Sequence, residues 1–416
     1  MGDIKSEAYT IINESIKDVL PYQAVEKALL NKTFTGSIVV VSIGKAAWTM
    51  AEAAKKILGS SITKGIVVTK YEHSRGKIDG FEIIEAGHPV PDENSVLGTE
   101  LAIKAVENLR ATDQVIFLIS GGGSALFEKP AEGLTLSDMK EVTGALLKCG
   151  ANIVEINTIR KHLSDVKGGR FASICAPAKV YSIVLSDVIG DRLDSIASGP
   201  AYPDSSTVEE TQNIIKKYNL LFNEAILKAL TRETPKALNN VETVITGSVS
   251  ELCKAVAVNA KSLGYTPFIL TSTLECEASE AGKFISSIAR EVRCKNPYGI
   301  KAPCAVIAGG ETTVKIKGTG LGGRNQEIAL TAAKGIAGMK ETLIFSLGSD
   351  GTDGPTDAAG GMVDGETLEK LKGMGLDLDE ILNNNDSYHG LKAVDGLIMT
   401  GATGTNVNDV MVVLCK

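Results

Sequence analysis

The chain has 416 residues, of which 44% are apolar and 22% charged, so it can bury two to three domain cores and lacks the composition of a disordered, collagenous or coiled-coil protein. A net charge of −7 argues against a DNA-coating protein, and an aromatic content of 5%, with Trp48 the single tryptophan, leaves little to stack single-stranded nucleic acid. The 43 glycines exceed the average of roughly 7%; glycine destabilises helices and strands and is useful in tight loops, so the loops hold the interest.

Met1 to Lys17 carries Asp3, Lys5, Glu7 and Glu14 and reads as an amphipathic helix, not a signal peptide. No stretch approaches the roughly 20 apolar residues of a membrane span. Continuous apolar runs at 38–43, 114–119 and 181–185 read as buried parallel strands, each ending in glycine or serine. Helical patterns lie between them at Thr49–Leu58, Val96–Leu109 and Leu136–Lys148. This alternation implies an open α/β sheet with helices on both faces. A polar helical stretch from Val208 to Leu238 ends in Thr234-Pro235, which sets a boundary: residues 1–238 form one domain and 239–416 a second α/β domain. Further strands are expected at 241–246, 266–270, 305–308, 343–347 and 410–414, with shorter pieces at Val314–Lys317 and Met399–Thr400. The seven cysteines are odd in number, widely spaced and without a C-x-x-C pair, which points to reduced thiols in a cytoplasmic protein and away from zinc. Ligands of open α/β sheets bind beyond the carboxyl ends of the strands, so a cleft between the domains is the expected site.

Lys45 stands where a helix should begin after strand 38–43 and Gly44. A cation there opposes the helix dipole unless an anion joins it; the plain alternative is a solvated lysine. Ser120-Gly121-Gly122-Gly123-Ser124 offers unhindered amides for a phosphate or carboxylate, and is no Walker loop because no Gly-Lys-Ser/Thr follows. Asp187 and Asp191, just past a buried strand, suit magnesium, the acceptance of a hydroxyl proton, or simple capping. Ser198-Gly199-Pro200 is another anion-friendly turn. Asn157 to Arg170 is a basic cluster containing Gly168-Gly169, by default a solvated helix face. Gly318, Gly320 and Gly323 formally match G-x-G-x-x-G, and Arg324 follows at a helix start, where its guanidinium fork suits carboxylate or phosphoryl oxygens. The loop 346–357 is acidic but lacks the spacing of a calcium loop, and 400–409 precedes the last strand.

Taken together these stretches resemble the class II glycerate kinases, whose C-terminal half contains the MOFRL region. The likeness runs in order through Ser42–Ala47, Gly87–Asp92, Ser120–Leu126, Asn157–Arg170, Leu185–Pro200, Gly309–Thr313, Gly320–Glu327, Asp353–Gly361 and Gly404–Asp409. Ala402 stands where members often carry proline, a departure that touches a turn more than the chemistry. The resemblance implies a Rossmann-like N-terminal domain, a MOFRL-type C-terminal α/β domain and an active site in the cleft between them. It implies ATP-dependent phosphorylation of D-glycerate, most commonly on the 2-hydroxyl, with Mg2+ bridging the ATP phosphates. Lys45 and Arg324 then meet the substrate carboxylate and the transferring phosphoryl, with Asp187 beside the hydroxyl or the metal and Asp191 as a second metal ligand. Ser120, Gly121, Gly122, Gly123, Ser124, Asp353, Thr405 and Asn406 are expected at the nucleotide phosphates, and Glu311 at the substrate. Partners are small molecules, with neither nucleic acid nor membrane and with a homodimer left open. The runner-up is an NAD(P)H-dependent hydroxypyruvate reductase, supported by the match at Gly318; a third reading is a non-catalytic sensor of sugar acids.

Overall fold

The computed structural model describes residues 3–30, 32–294 and 299–416. It divides into two compact units: Pro21–Thr246, and Gly247–Lys416 together with Met1–Leu20.

The first unit contains a six-stranded sheet of β1 (Ile38–Ile43), β2 (Ile62–Lys70), β3 (Phe81–Ala86), β4 (Gln114–Ile119), β5 (Lys179–Leu185) and β6 (Val241–Gly247), in the order β3-β2-β1-β4-β5-β6. The pairings of β1 with β2 and β4, of β2 with β3 and of β4 with β5 are all parallel. Parallel strands are covered on both faces, which explains the unbroken apolar runs. Along β1, Val39, Val41 and Ile43 join one core with Val115, Phe117 and Phe171, while Ile38 and Val40 join the opposite core with Ile116 and Leu118. Side chains alternate across a strand, so both faces draw on the same six residues. The strand order reverses direction between β1 and β4, and this switch point is where open α/β sheets leave a crevice beyond their carboxyl ends.

The second unit contains β7 (Thr266–Leu274), β8 (Cys304–Gly310), β9 (Thr342–Gly348), β10 (Gly360–Asp364), β11 (Leu397–Ile398) and β12 (Asp409–Cys415), ordered β11-β10-β9-β12-β8-β7. Among the described residues only β7 and β8 run parallel; β12 inserts between β8 and β9, antiparallel to both. The expected run of α/β units therefore closes as a mixed sheet. Val314–Lys317 and Met399–Thr400, expected as strand pieces, are irregular, with β11 just before the latter.

The division differs from the expected boundary after residue 238 in two places. β6 lies beside β5 as the last strand of the first sheet, so that unit runs on to Thr246. The N-terminal helix, Ile4–Asp18, belongs with the second unit, where Glu7 accepts from Tyr265 Oη at 2.6 Å and pairs with Lys416 at 2.8 Å. Its expected first residues, Met1 and Gly2, lie outside the described ones.

Candidate active site

In the first unit the carboxyl ends of β1, β4 and β5 are neighbours, which brings together three loops expected from the sequence. Lys45 follows β1, donates its amide to the Gly121 carbonyl at 2.9 Å, and keeps its side chain exposed. Ser120, after β4, donates its hydroxyl to the Ile43 carbonyl at 3.1 Å and accepts the Ala46 amide at 3.1 Å. Ser120 thus stitches the lysine turn to the glycine loop. Gly122 has φ +85°, a left-handed conformation that turns the loop and that side chains rarely adopt. Among the described residues the amides of residues 121–124 enter no backbone–backbone hydrogen bond, so the loop can present them to an anion. Asp187, after β5, packs so closely on Gly121 that a β-carbon there would collide with its carboxylate. Ser124 Oγ lies 3.1 Å from Ser198 Oγ, where Ala197, Ser198 and Gly199 are consecutively left-handed. Two adjacent non-glycine residues in that region store roughly 1–3 kcal/mol each, which the surroundings must hold in place.

His88 is a member of this group that residue patterns did not single out. A β-carbon on Gly122 would lie 3.1 Å from His88 Cδ2 and 3.2 Å from Lys45 Cγ, so the imidazole and the lysine stem flank the loop. Burial holds the His88 imidazole below its usual pKa, and Lys45, Lys70 and His73 add to this, which favours the neutral ring. The available signal was the Gly87–Asp92 stretch that carried part of the resemblance.

Among the described residues, no three His, Cys, Asp or Glu side chains cluster as a ready-made metal site. The two aspartates expected for magnesium differ in setting: Asp187 packs on the loop, and Asp191, at φ +53°, has a buried Oδ1 without a hydrogen-bond partner. That orphaned oxygen fits a hard cation that brings most of its oxygen ligands as water and phosphate.

In the second unit Arg324 opens the helix Arg324–Gly335. Its fork is already engaged: Nε and Nη2 donate to Asp409 at 2.6 and 3.1 Å, and Nη1 donates to Glu311 at 2.8 Å. Burial disfavours its charge, but the bonds and charge of Asp409 outweigh this and hold it cationic. Burial likewise pushes the Asp409 carboxyl up, against the pull of Arg324. Glu311 is the more exposed of the two acidic partners, so it is the one a ligand carboxylate can replace.

Two expected phosphate contacts, Asp353 and Thr405, are employed elsewhere in the fold. Asp353 is buried and accepts the Asn325 and Gln326 amides at 3.2 and 2.8 Å, so the anion expected at this helix start is a carboxylate of the protein itself. Burial raises Asp353 to about 6, against those bonds. Thr405 donates its hydroxyl to the Val19 carbonyl at 3.1 Å and is buried. Asn406 is exposed and accepts the Asn408 amide at 3.2 Å.

The G-x-G-x-x-G match is resolved by packing. The amides of Lys317, Gly318, Thr319 and Leu321 donate to the side chains of Asn385, Asn384 and Asp386, and Gly320 donates to the Asn384 carbonyl at 2.8 Å. The glycines let residues 384–387 approach at contact distance. Amides satisfied in this way are not available to a pyrophosphate, and the preceding β8 has an antiparallel neighbour in β12, unlike the first strand of a dinucleotide unit.

A switch point that gathers a glycine-rich loop and a lysine at the carboxyl ends of parallel strands defines an open-sheet α/β protein. Comparison with known proteins specifies the kind. A family profile described as a domain of unknown function, DUF4147, matches residues 7–231, and the MOFRL family profile matches residues 304–409. The chain is 53% identical to D-glycerate 2-kinase of Thermotoga maritima, covering 98% of each chain, and 43% identical to glycerate 2-kinase of Pyrococcus horikoshii, covering 99% of this chain and 97% of that one. A crystal structure of glycerate kinase from Thermotoga maritima superposes with a TM-score of 0.95 at 53% identity, covering 99% of both chains. The chain belongs to the class II glycerate kinases, the family that carries the MOFRL region.

Proposed function

We propose that the protein transfers the γ-phosphoryl group of ATP to the 2-hydroxyl of D-glycerate, giving 2-phospho-D-glycerate and ADP. Identity to glycerate 2-kinases over the whole chain is the observation that carries this reading. The glycine loop supports it: phosphoryl transfer needs positioning and charge stabilisation above all, and a run of loop amides beside a lysine supplies both.

In this proposal the amides of residues 121–124 hold nucleotide phosphates, and Lys45 balances the charge that spreads over the transferring group. The glycerate oxygen forms the new bond to phosphorus as the bond to the ADP oxygen breaks. Asp187 orients the hydroxyl and takes its proton. Arg324 receives the glycerate carboxylate when it displaces Glu311. Asp191, and Asp187 where it does not serve the hydroxyl, would hold magnesium, which would supply positive charge to the phosphates. The alternative of a hydroxypyruvate reductase loses the support of its glycine motif, because the loop at Gly318 is occupied by residues 384–386.

The test is the product. Phosphorus NMR after incubation with ATP, Mg2+ and D-glycerate should show the 2-phosphate, and coupling to enolase should proceed without a mutase. A 3-phosphate product overturns the regiochemistry. NADH oxidation with hydroxypyruvate, without ADP from glycerate, overturns the kinase.

A further inference from the structure

Lys167 is fully buried, as is Glu128. The Lys167 ammonium donates to the carbonyls of Ser124 at 2.8 Å and Phe127 at 3.0 Å, and lies 3.4 Å from the Glu128 carboxylate. Arg160 Nη2 donates to the same Ser124 carbonyl at 3.0 Å and lies 3.9 Å from Glu128. Two cations therefore meet one carboxylate, and one loop carbonyl accepts two charged donors. Both oxygens of Glu128 are buried and neither has a hydrogen bond of good geometry.

A bridge that served only the core would satisfy its carboxylate with good hydrogen bonds, because desolvating unmatched charge is expensive. Here both cations direct their short hydrogen bonds to the backbone that ends the glycine loop, and their contacts with Glu128 are the longer ones, at 3.4 and 3.9 Å. Burial lowers the Lys167 ammonium to about 8, Glu128 opposes this and Arg160 adds to it, so the lysine is mainly cationic at neutral pH. These residues come from the basic stretch 157–170, whose sequence reads as a solvated face; Lys161 and His162 are buried as well.

We infer that Lys167, acting with Arg160 and Glu128, is a positioning residue for the phosphate-binding loop: it clamps the carbonyls of Ser124 and Phe127 and leaves one positive charge in excess beneath the amides that meet a nucleotide's phosphates. This rests on reading residues 121–124 as the nucleotide-phosphate site. The charged donors fix the Ser124–Ala125 and Phe127–Glu128 peptide planes at the loop's exit; the Ala125 amide held in this way donates back to the Gly122 carbonyl at 3.2 Å, and that carbonyl shares its plane with the Gly123 amide of the loop. The excess charge acts where water is excluded, so it is weakly screened.

Two full-length variants test this. Lys167→Met leaves Glu128 facing Arg160 alone. Lys167→Met/Glu128→Leu removes the pair at similar volume and leaves the single excess charge on Arg160, so it isolates the loss of the clamp and keeps the test sound if the single variant folds poorly. ADP and adenosine binding are measured by calorimetry, together with KM for ATP, kcat and the thermal midpoint. The double variant should fold and bind adenosine as the parent does, while ADP affinity falls and KM for ATP rises by about tenfold to a hundredfold, the size expected for lost hydrogen bonds from a charged group. ADP affinity within twofold of the parent in the folded double variant overturns the inference, as does an equal loss for ADP and adenosine. A parent protein that binds ADP no better than adenosine overturns both the loop reading and the inference. A parent that prefers ADP but forms no phosphoglycerate refutes only the proposed activity, and the variant comparison still decides the inference.

Discussion

Replacing Arg324 tests two roles at once, and the geometry says how to separate them. Arg324→Met removes a two-pronged partner from Asp409, whose side chain is only 4% exposed. Stranding a buried charge costs about 3–5 kcal/mol. Arg324 itself is 33% exposed, so water can enter the vacated space, and a loss of about 2–3 kcal/mol is the better figure. For a unit of this size that lowers the unfolding midpoint by roughly 5–10 °C. Adding Asp409→Asn removes the stranded charge and should restore most of the midpoint. The assay is scanning calorimetry of parent, single and double variants, followed by ATP- and glycerate-dependent turnover at a temperature where all three are folded. If the arginine also acts on substrate, the double variant regains stability while turnover stays about 10²–10³-fold down. A single variant that unfolds within about 1 °C of the parent would refute the burial argument. A double variant that regains both stability and turnover would refute the substrate role.

Lys45→Ala changes an exposed side chain, so its unfolding midpoint should match the parent while kcat/KM falls by about 10²–10³-fold; near-normal steady-state rates would remove Lys45 from the site. Gly122→Ala places a β-carbon on a left-handed residue close to His88 and Lys45, so it should lose about 1–2 kcal/mol in denaturant unfolding and weaken ADP binding, whereas an unchanged ADP affinity argues against these amides as the phosphate site. Asp353 is raised to about 6, so the folded state binds its proton more tightly than the unfolded chain, and its contribution to stability is present at low pH and lost as pH rises from about 4 to 6. Relative to Asp353→Asn, the parent should therefore lose up to about 3 kcal/mol of unfolding free energy between pH 4 and 7; a pH-independent difference would show that the helix-start amides offset the burial.

The sequence by itself located β1, β4, β5 and β6 of the first sheet and the loops that follow β1, β4 and β5, while β2 and β3 were not marked by its pattern. β1 and β4 begin and end where the apolar runs do, because a strand buried on both faces tolerates no polar break, and glycine and serine mark its exit. That was enough to locate Lys45, Ser120–Ser124 and Asp187, which the strand order then makes neighbours. The tertiary structure alone decided what the other charged residues do. The anion at the Arg324 helix arrives as Asp353, and the amides around Gly318 are met by Asn384, Asn385 and Asp386. Lys167, in a stretch that reads as a solvated face, is buried under a loop formed far earlier in the chain. Each of these depends on a partner distant in sequence. Periodicity and turn chemistry report only a residue's near neighbours, whereas the protonation, burial and availability of a charged group are set by whatever the fold packs against it.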